Sequence, residues 1–302
     1  MSQKSIEINT PTVFTEKTMY EIVAKVFLDD NFPTDVSSLD IDLKDLKYID
    51  VAGVTVLSNL IELAQNFKIP VNFNYNDSVA SFLIDSGFAQ RYIGFPDDNL
   101  NKKTYTLPLK VIHAEEVVSH LHYQIVPWFL DCLEEETDKQ DITSYQLSSI
   151  QTALQEIFNN INDHSNTKIG CYCGYYNKEK RIFKLCISDF GIGIPSKITK
   201  LNPHLTESQA IEKACEYGYT TKSTPNNMGA GLDVLLKNTV LANKGSLTIY
   251  SSRGIFCAKF SEEEIIKETR AVQEHNVYPG TIIVLEYPID TIQLDEAQEF
   301  SW

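Results

Sequence analysis

Hydrophobic and polar positions in the first third of the chain follow two different spacings. Residues 39–43 alternate like a strand, residues 54–67 have the spacing of a helix, and residues 71–73 are extended again. The polar stretch 96–103 contains turn residues and has no periodicity. This pattern predicts an α/β domain that ends before the polar stretch.

The remainder of the chain has the pattern of a sheet surrounded by helices. Helical spacing over residues 115–133 and 144–163 follows an extended run at 105–112. Five more extended runs come later, at residues 168–176, 181–188, 246–251, 255–260 and 281–287. With no heptad or internal repeat, we predict an α/β sandwich in which one mixed sheet carries helices on one face. The charged segment 261–273 is predicted to be an exposed helix inserted between two late strands.

The length of the chain fits a division into two domains. A chain of 302 residues exceeds the usual size of a single domain. We predict that residues 1–98 form the first domain, residues 99–104 a linker and residues 105–302 the second domain.

Charge and hydropathy argue against two classes of partner. The chain has 41 acidic and 26 basic residues, a formal net charge of −15, and no local cluster of lysine and arginine. Such a surface repels nucleic acid and anionic lipid. We also find no signal peptide and no apolar stretch long enough to cross a bilayer. We therefore expect a soluble cytoplasmic protein without nucleic-acid or membrane partners.

The six cysteines are scattered along a chain that is too long to need disulfides, and we expect them to be reduced. Cys171 and Cys173 have the spacing of one face of a strand. No second Cys/His pair accompanies them, so the pattern does not favour a metal site there.

The stretch 144–163 separates into two stripes on a helical wheel. An apolar stripe predicts the face that packs on the core: Ile150, Leu154, Ile157, Phe158 and Ile161. A second stripe carries polar side chains: Glu156, Asn160, Asp163 and His164. A carboxylate and a carboxamide one turn apart suit a hydrated Mg²⁺ and a water that the carboxylate orients. An ordinary solvated helix face is the alternative.

An acidic residue and two glycines follow the apolar run at 185–188. Asp189 stands where a strand ends, so its carboxylate can accept a hydrogen bond from the exocyclic amine of a purine. Gly191 and Gly193 let the backbone pass close to a flat ligand. A tight turn is the alternative for so short a motif.

A further pair of glycines, Gly229 and Gly231, directly precedes a run with helical spacing. Free backbone N–H groups at such a junction favour an anion. An ordinary glycine turn is again the alternative.

Taken together in order and spacing, these three motifs resemble the N, G1 and G2 boxes of the GHKL ATPases, the superfamily of histidine kinases, DNA gyrase and heat-shock chaperones. The resemblance covers about residues 105–288 and implies a Bergerat fold that binds ATP and Mg²⁺. Residues 219–222, 243–249 and 279–288 resemble further elements of some histidine kinases. The inserted segment 261–273 departs from the short histidine-kinase version.

The resemblance also implies roles for individual residues. Glu156 would be the general base, Asn160 the Mg²⁺ ligand and Asp189 the acceptor of the adenine amine, with a mobile lid over about residues 196–228. Phosphate would be bound by the loop that holds Gly229 and Gly231. The implied cofactor-binding positions are Asn160, Asp163, His164, Asp189, Gly191, Gly193, Ile194, Thr221, Lys222, Gly229, Ala230, Gly231, Leu232 and Thr281.

The first domain resembles the STAS domains of anti-sigma-factor antagonists. The resemblance rests on residues 41–57, followed by a helix and the strand-like residues 69–73. In that family Asp-Ser-Ser-Gly precedes the helix, and a GHKL kinase phosphorylates the second serine. This chain has Asp50-Val51-Ala52-Gly53, so Ala52 cannot accept phosphate. The resemblance still implies a docking domain for a protein partner, and any small α/β domain is the alternative.

Several functions remain open for an ATP site of this kind. We rank a nucleotide-dependent switch with slow ATP hydrolysis first. A serine/threonine kinase of the anti-sigma type, acting on a separate partner, is second, and a catalytically silent ATP-binding adaptor is third. A sensor histidine kinase is disfavoured, because the sequence around His120 and His122 resembles no phosphoacceptor helix. A homodimer is compatible with each of these functions.

Overall fold

A computed structural model describes residues 5–27, 31–76, 79–96, 105–113, 116–139, 141–164, 169–219, 231–273 and 275–296. The predicted linker at 99–104 lies outside these residues. No helix in the described part of the chain is both long and apolar enough to cross a membrane.

The amino-terminal unit contains two small parallel sheets and three helices. One sheet has the order β1-β3-β5, with β1 Ile6–Asn9, β3 Leu39–Asp42 and β5 Val71–Asn74. The other pairs β2 Val13–Phe14 with β4 Tyr48–Ile49. The helices are α1 Tyr20–Val26, α2 Val51–Asn66 and α3 Ser81–Asp85, and a π-helical turn follows at Ala89–Ile93. The predicted α/β pattern is therefore present.

Helix α2 begins where the sequence supplies a cap. The side chain of Asp50 accepts hydrogen bonds from the backbone N–H groups of Ala52 and Gly53, at 3.0 and 3.1 Å. These bonds satisfy donors that have no partner within the helix.

The carboxy-terminal unit is built on a seven-stranded sheet of order β11-β10-β9-β12-β8-β7-β6. Its strands are β6 Thr106–His113, β7 Ile169–Asn177, β8 Ile182–Asp189, β9 Ser246–Ser252, β10 Gly254–Ser261, β11 Glu264–Ala271 and β12 Tyr278–Pro288. All of its neighbouring pairs are antiparallel, so the prediction of a mixed sheet was wrong. The reason is the position of β12, which lies between β8 and β9 and runs opposite to both.

The helices of this unit connect the strands. Helix α4 Val117–His120 continues through a π-helical turn, Leu121–Ile125, into α5 Val126–Glu136. A 3-10 turn at Ser144–Leu147 leads into α6 Ser148–His164. Helices α7 Pro195–Leu201 and α8 Glu207–Ala214 follow β8. Helix α9 Gly231–Leu236 continues as a π-helical turn to Ala242, and a 3-10 turn at Ile289–Thr291 follows β12.

The predicted apolar stripe of α6 is buried as expected. Ile150, Leu154, Ile157 and Phe158 are all at most 2 % exposed. The side chain of Ile161 lies outside the described residues.

The segment 261–273 corrects the sequence prediction, because it forms the edge strand β11 and not a helix. It pairs with β10 along its whole length, from Ser261 opposite Glu264 to Gly254 opposite Ala271. The turn between the two strands consists of Glu262 and Glu263, both with positive φ. Among the described residues, no strand pairs with the other side of β11, and such an edge position suits its charged sequence.

Both faces of the seven-stranded sheet are covered, although the sequence predicted helices on one face only. Along β8, Leu185 and Ile187 belong to the core beneath α5, α6 and α9, whereas Cys186 belongs to a second core that contains α1 and α2. Residues of β7 and β12 alternate in the same way. Helix α2 packs directly on β7 and β8. The amino-terminal unit therefore forms one layer of the same packed structure.

Polar side chains also cross this interface. Lys184 of β8 donates to Asp50 at 2.6 Å and to Glu16 at 3.0 Å. Burial opposes the positive charge of Lys184, but the two carboxylates outweigh it and raise the pKa of the ammonium group. Ala52, near the start of α2, is fully buried.

The six cysteines are free thiols, and only Cys257 is partly exposed. Cys171 and Cys173 lie on one face of β7, as their spacing predicted, and both face the amino-terminal unit.

Candidate functional site

Strand β8 ends at a buried carboxyl group. Asp189 is its last residue, is 7 % exposed, and lies opposite Thr281 of β12. Within the described residues, no donor bonds to its carboxylate. Burial raises the pKa of Asp189 to about 8. The group is thus an acceptor whose ionised form has no hydrogen-bond donor among the described residues.

The turn after Asp189 is held by the side chain of Ser251, on β9. The Ser251 hydroxyl donates to the carbonyl oxygen of Gly280 at 2.6 Å and accepts from the backbone N–H of Ile194 at 2.9 Å. Thr281 Oγ1 lies 3.2 Å from Ser251 Oγ. Three separate segments of sequence, around 189–194, 251 and 280–281, therefore meet at one place.

Two glycines make this close approach feasible. Gly193 has φ of +72°, and a Cβ there would lie 2.8 Å from Ser251 Oγ. Gly280 has φ of +122°, and a Cβ there would collide with the backbone of Asp189 and Gly191. From the sequence, Gly193 was expected to let the backbone pass close to a ligand. In the structure, it makes room for a serine hydroxyl and permits a left-handed backbone.

A second group of predicted residues meets at helix α6. Glu156 and Asn160 lie one turn apart, and both are partly exposed. A Cβ on Gly231, the first residue of α9, would lie 3.5 Å from Glu156 Oε2 and 3.6 Å from Asn160 Nδ2. The first and third sequence motifs are thus brought together at residue 231.

Two of the predicted cofactor-binding side chains belong to the core. Leu232 is 7 % exposed and packs among the helices above the sheet. Ile194 is partly buried against the same core. Through these contacts, Leu232 positions α9 and Ile194 positions the turn after β8.

Several predicted site residues cannot be placed. Thr221, Lys222, Gly229 and Ala230 lie outside the described residues, and so do the side chains of Asp163 and His164. The backbone of Asp163 and His164 belongs to the last turn of α6.

The first part of the predicted lid at 196–228 is described and packs against the sheet. Helix α8 packs on β10 and β11, and its Ile211 is fully buried in the core. Glu207 of α8 also accepts a hydrogen bond from the backbone N–H of Arg253, at 2.6 Å. Helix α8, within the first half of the predicted lid, is therefore packed into the core in this structure.

Sequence reasoning missed three residues that build the site. Ser251 and Ser188 have no local sequence signal, since each is an ordinary strand serine. Gly280 lies between Pro279 and Thr281, the residue expected near adenine. This neighbourhood was the one sequence feature that could have indicated that Gly280 belongs to the site.

Comparisons with known proteins were made for the whole chain. No family model and no curated protein matches it. Among solved structures, it is similar to a topoisomerase IV ATP-binding domain of Francisella tularensis in complex with a small-molecule inhibitor. That match has 15 % identity and a TM-score of 0.29, and covers 64 % of this chain and 45 % of that one.

A second similar structure is the 43K ATPase domain of Thermus thermophilus gyrase B in complex with an aminocoumarin. It matches with 17 % identity and a TM-score of 0.28, over 48 % of this chain and 36 % of that one. The chain thus spans less than half the length of either structure.

Proposed function

We propose that this protein binds ATP with Mg²⁺ at a GHKL-type site and uses it as a nucleotide-dependent switch. The observation that carries the proposal is the carboxyl of Asp189, which is buried and has no donor within the described residues. A buried acceptor of this kind is costly unless a ligand supplies the donor. The exocyclic amine of adenine is such a donor.

The phosphate end of ATP is assigned to α6 and the start of α9. Gly231 lies against Glu156 and Asn160, so a phosphate chain near residue 231 would be within reach of both side chains. The described residues contain no cluster of three His, Cys, Asp or Glu side chains that could hold a metal ion alone. In this proposal, Mg²⁺ would be held by Asn160 together with the phosphate oxygens of the nucleotide, a common arrangement for this ion. When bound, it would neutralise charge on the phosphates.

Glu156 is assigned the role of general base. Its carboxylate would orient a water molecule and take up its proton as the terminal phosphate is hydrolysed. Slow hydrolysis would then reset the switch. Thr221, Lys222, Gly229 and Ala230 would complete the phosphate end.

A protein kinase that acts on a separate partner is the second candidate. Here Glu156 would activate a hydroxyl of the partner in place of water. Ala52 is buried against the sheet of its own chain, so a protein that docks on the amino-terminal unit must use a surface other than the start of α2. A silent ATP-binding adaptor is the third candidate.

Incubation of the full chain with γ-labelled ATP separates these functions. Release of phosphate indicates hydrolysis, label on an added protein indicates a kinase, and intact bound ATP indicates an adaptor. We expect phosphate release that Glu156→Gln lowers by about a hundredfold, within the usual range for loss of an acid–base group. Glu134→Gln is the matched control, since Glu134 is an exposed residue of α5. Unchanged turnover in Glu156→Gln would show that the assigned base is wrong.

A further inference from the structure

We propose that Asn59, in the amino-terminal unit, is a positioning residue for the adenine end of the site. It does not contact the nucleotide in this proposal. It acts through Ser188, the residue directly before Asp189. This inference rests on the proposed function, because it assumes that adenine binds beside Asp189.

The donor and the acceptor can be identified for each hydrogen bond around Ser188. Asn59 Nδ2 donates to Ser188 Oγ at 2.8 Å, and Ser188 Oγ donates to the carbonyl oxygen of Thr281 at 3.0 Å. A serine hydroxyl has one hydrogen and two lone pairs. The Tyr278 hydroxyl, which also bonds to Ser188 Oγ, must therefore be the donor of its bond. With Asn59 in place, the hydrogen and both lone pairs of the hydroxyl are used.

This network lies between α2 and the end of the sheet that carries the candidate site. Asn59, Ser188 and Tyr278 are all at most 3 % exposed. Thr281 is the strand partner of Asp189, so the bond from Ser188 to the Thr281 carbonyl lies at the same level of the sheet as the Asp189 carboxyl. The amino-terminal unit thus reaches the backbone of the adenine end through one amide group.

Loss of the Asn59 amide would remove one hydrogen bond that the Ser188 hydroxyl accepts, and the buried interface leaves little solvent to replace it. The Ser188 hydroxyl could then turn away from the Thr281 carbonyl, since its orientation would be less restricted. The relative position of Asp189 and Thr281 would become less defined. Such a change acts on recognition of adenine and leaves the phosphate end, at Glu156 and Gly231, untouched.

Ser58 provides a matched control on the same helix. It is fully buried like Asn59, and its hydroxyl bonds to Tyr92 OH at 2.7 Å and to Cys171 Sγ at 3.2 Å. None of these groups belongs to the network around Ser188. Cys171 is the strand partner of Ser188, so a substitution at Ser58 disturbs the same interface nearby but removes no hydrogen bond to Ser188.

The test compares Asn59→Ala with Ser58→Ala in the full chain, by calorimetric binding of ATP, adenosine and inorganic triphosphate. We expect Asn59→Ala to weaken the binding of ATP and the binding of adenosine by the same factor. That factor should be about threefold to tenfold, the size of other energetic couplings through a packed network. Binding of triphosphate should not change, and Ser58→Ala should leave all three affinities within about twofold, the scatter allowed for an uncoupled site. In a Ser188→Ala background, Asn59→Ala should have no further effect on ATP affinity.

Three results would overturn the inference. These are equal effects of Asn59→Ala and Ser58→Ala, equal weakening of triphosphate and adenosine, and an undiminished effect of Asn59→Ala in the Ser188→Ala background. If Asn59→Ala does not fold, Asn59→Leu replaces it, because leucine keeps the side-chain volume and removes the donor. If the wild-type chain binds ATP but the Asn59 variants match Ser58→Ala, only this inference fails. If the wild-type chain binds no ATP, the proposed function fails as well.

Discussion

The carboxyl of Asp189 combines burial with the absence of a donor from any described residue. In the free protein this arrangement destabilises the ionised form of the side chain. A ligand that donates a hydrogen bond at this position would remove that cost. The same property therefore makes Asp189 both the centre of the proposed site and a weak point of the ligand-free fold.

The raised pKa of Asp189 predicts a pH-dependent stability. Its folded pKa of about 8 lies above the ordinary value of 3.8, so the stabilisation is fully present below about pH 4 and is lost as the pH rises through about 8. Across this window, the free energy of unfolding of the wild type should fall relative to Asp189→Asn, by up to about 1.4 kcal/mol per pH unit. Urea unfolding of both proteins between pH 5 and 8.5, without nucleotide, measures the difference. Parallel curves would mean that Asp189 titrates normally.

At the scale of single residues, local sequence could predict those with a motif around them. The apolar run before Asp189 and the glycines after it were enough to indicate a strand end with a tight backbone. Ser251 and Ser188 could not be predicted, since their roles depend on which strands become neighbours. Gly193 was predicted to make room for a ligand. In the structure, the absence of a Cβ at Gly193 makes room for the side chain of Ser251.

At the scale of elements, β11 is the main failure of prediction. Its many charged residues suggested a solvated helix, and its strand identity depends on pairing with β10 over eight positions. An edge strand has no need of a regular apolar pattern, because most of its side chains face water. Helix α6 was predicted well, since one of its faces is buried and gives a clear period.

The turn between β10 and β11 predicts a stabilising substitution. Glu262 and Glu263 both have positive φ, at +50° and +71°, which glutamate adopts at a cost. Two-residue hairpin turns of this geometry favour Asn-Gly. The double substitution Glu262→Asn/Glu263→Gly should raise the free energy of unfolding by about 1 kcal/mol, measured by urea unfolding.

Helix α5 supplies a control for this substitution. Glu134 and Glu135 are exposed neighbours within α5. Asn-Gly at these positions should lower the free energy of unfolding, because both residues are poor in a helix interior. A hairpin variant that is no more stable than the wild type would argue against the turn described here.

At the scale of the whole molecule, the amino-terminal unit covers one face of the seven-stranded sheet. The sequence could predict two α/β units but not this packing. The apolar side chains of α2 and the alternate residues of β7 and β8 each indicate a buried surface. No local sequence feature indicates that they pack against each other in the same core. The partly buried ion pairs of Lys184 with Glu16 and Asp50 could not be predicted either, because they join distant parts of the chain.

This shared core predicts that the two units unfold together. Urea unfolding followed by circular dichroism and by fluorescence should give one coincident transition. Lys184→Met leaves two partly buried carboxylates without their cation and should lower the free energy of unfolding by about 2–4 kcal/mol, with the transition still single. Lys178→Met is the control, since Lys178 is mostly exposed and solvent screens its ion pair with Glu136, so the free energy of unfolding should change little. Two separate transitions in the wild type would contradict a shared core.

The most direct test of the central claim is a calorimetric titration of the full chain with ATP in the presence of Mg²⁺. The wild type should bind one ATP per chain. Asp189→Asn should weaken binding by about tenfold to a hundredfold, because the neutral amide makes a weaker hydrogen bond to the adenine amine than the carboxylate does. An Asp189→Asn chain that binds ATP as tightly as the wild type, or a folded wild type that binds no ATP, would contradict the assignment of adenine to Asp189.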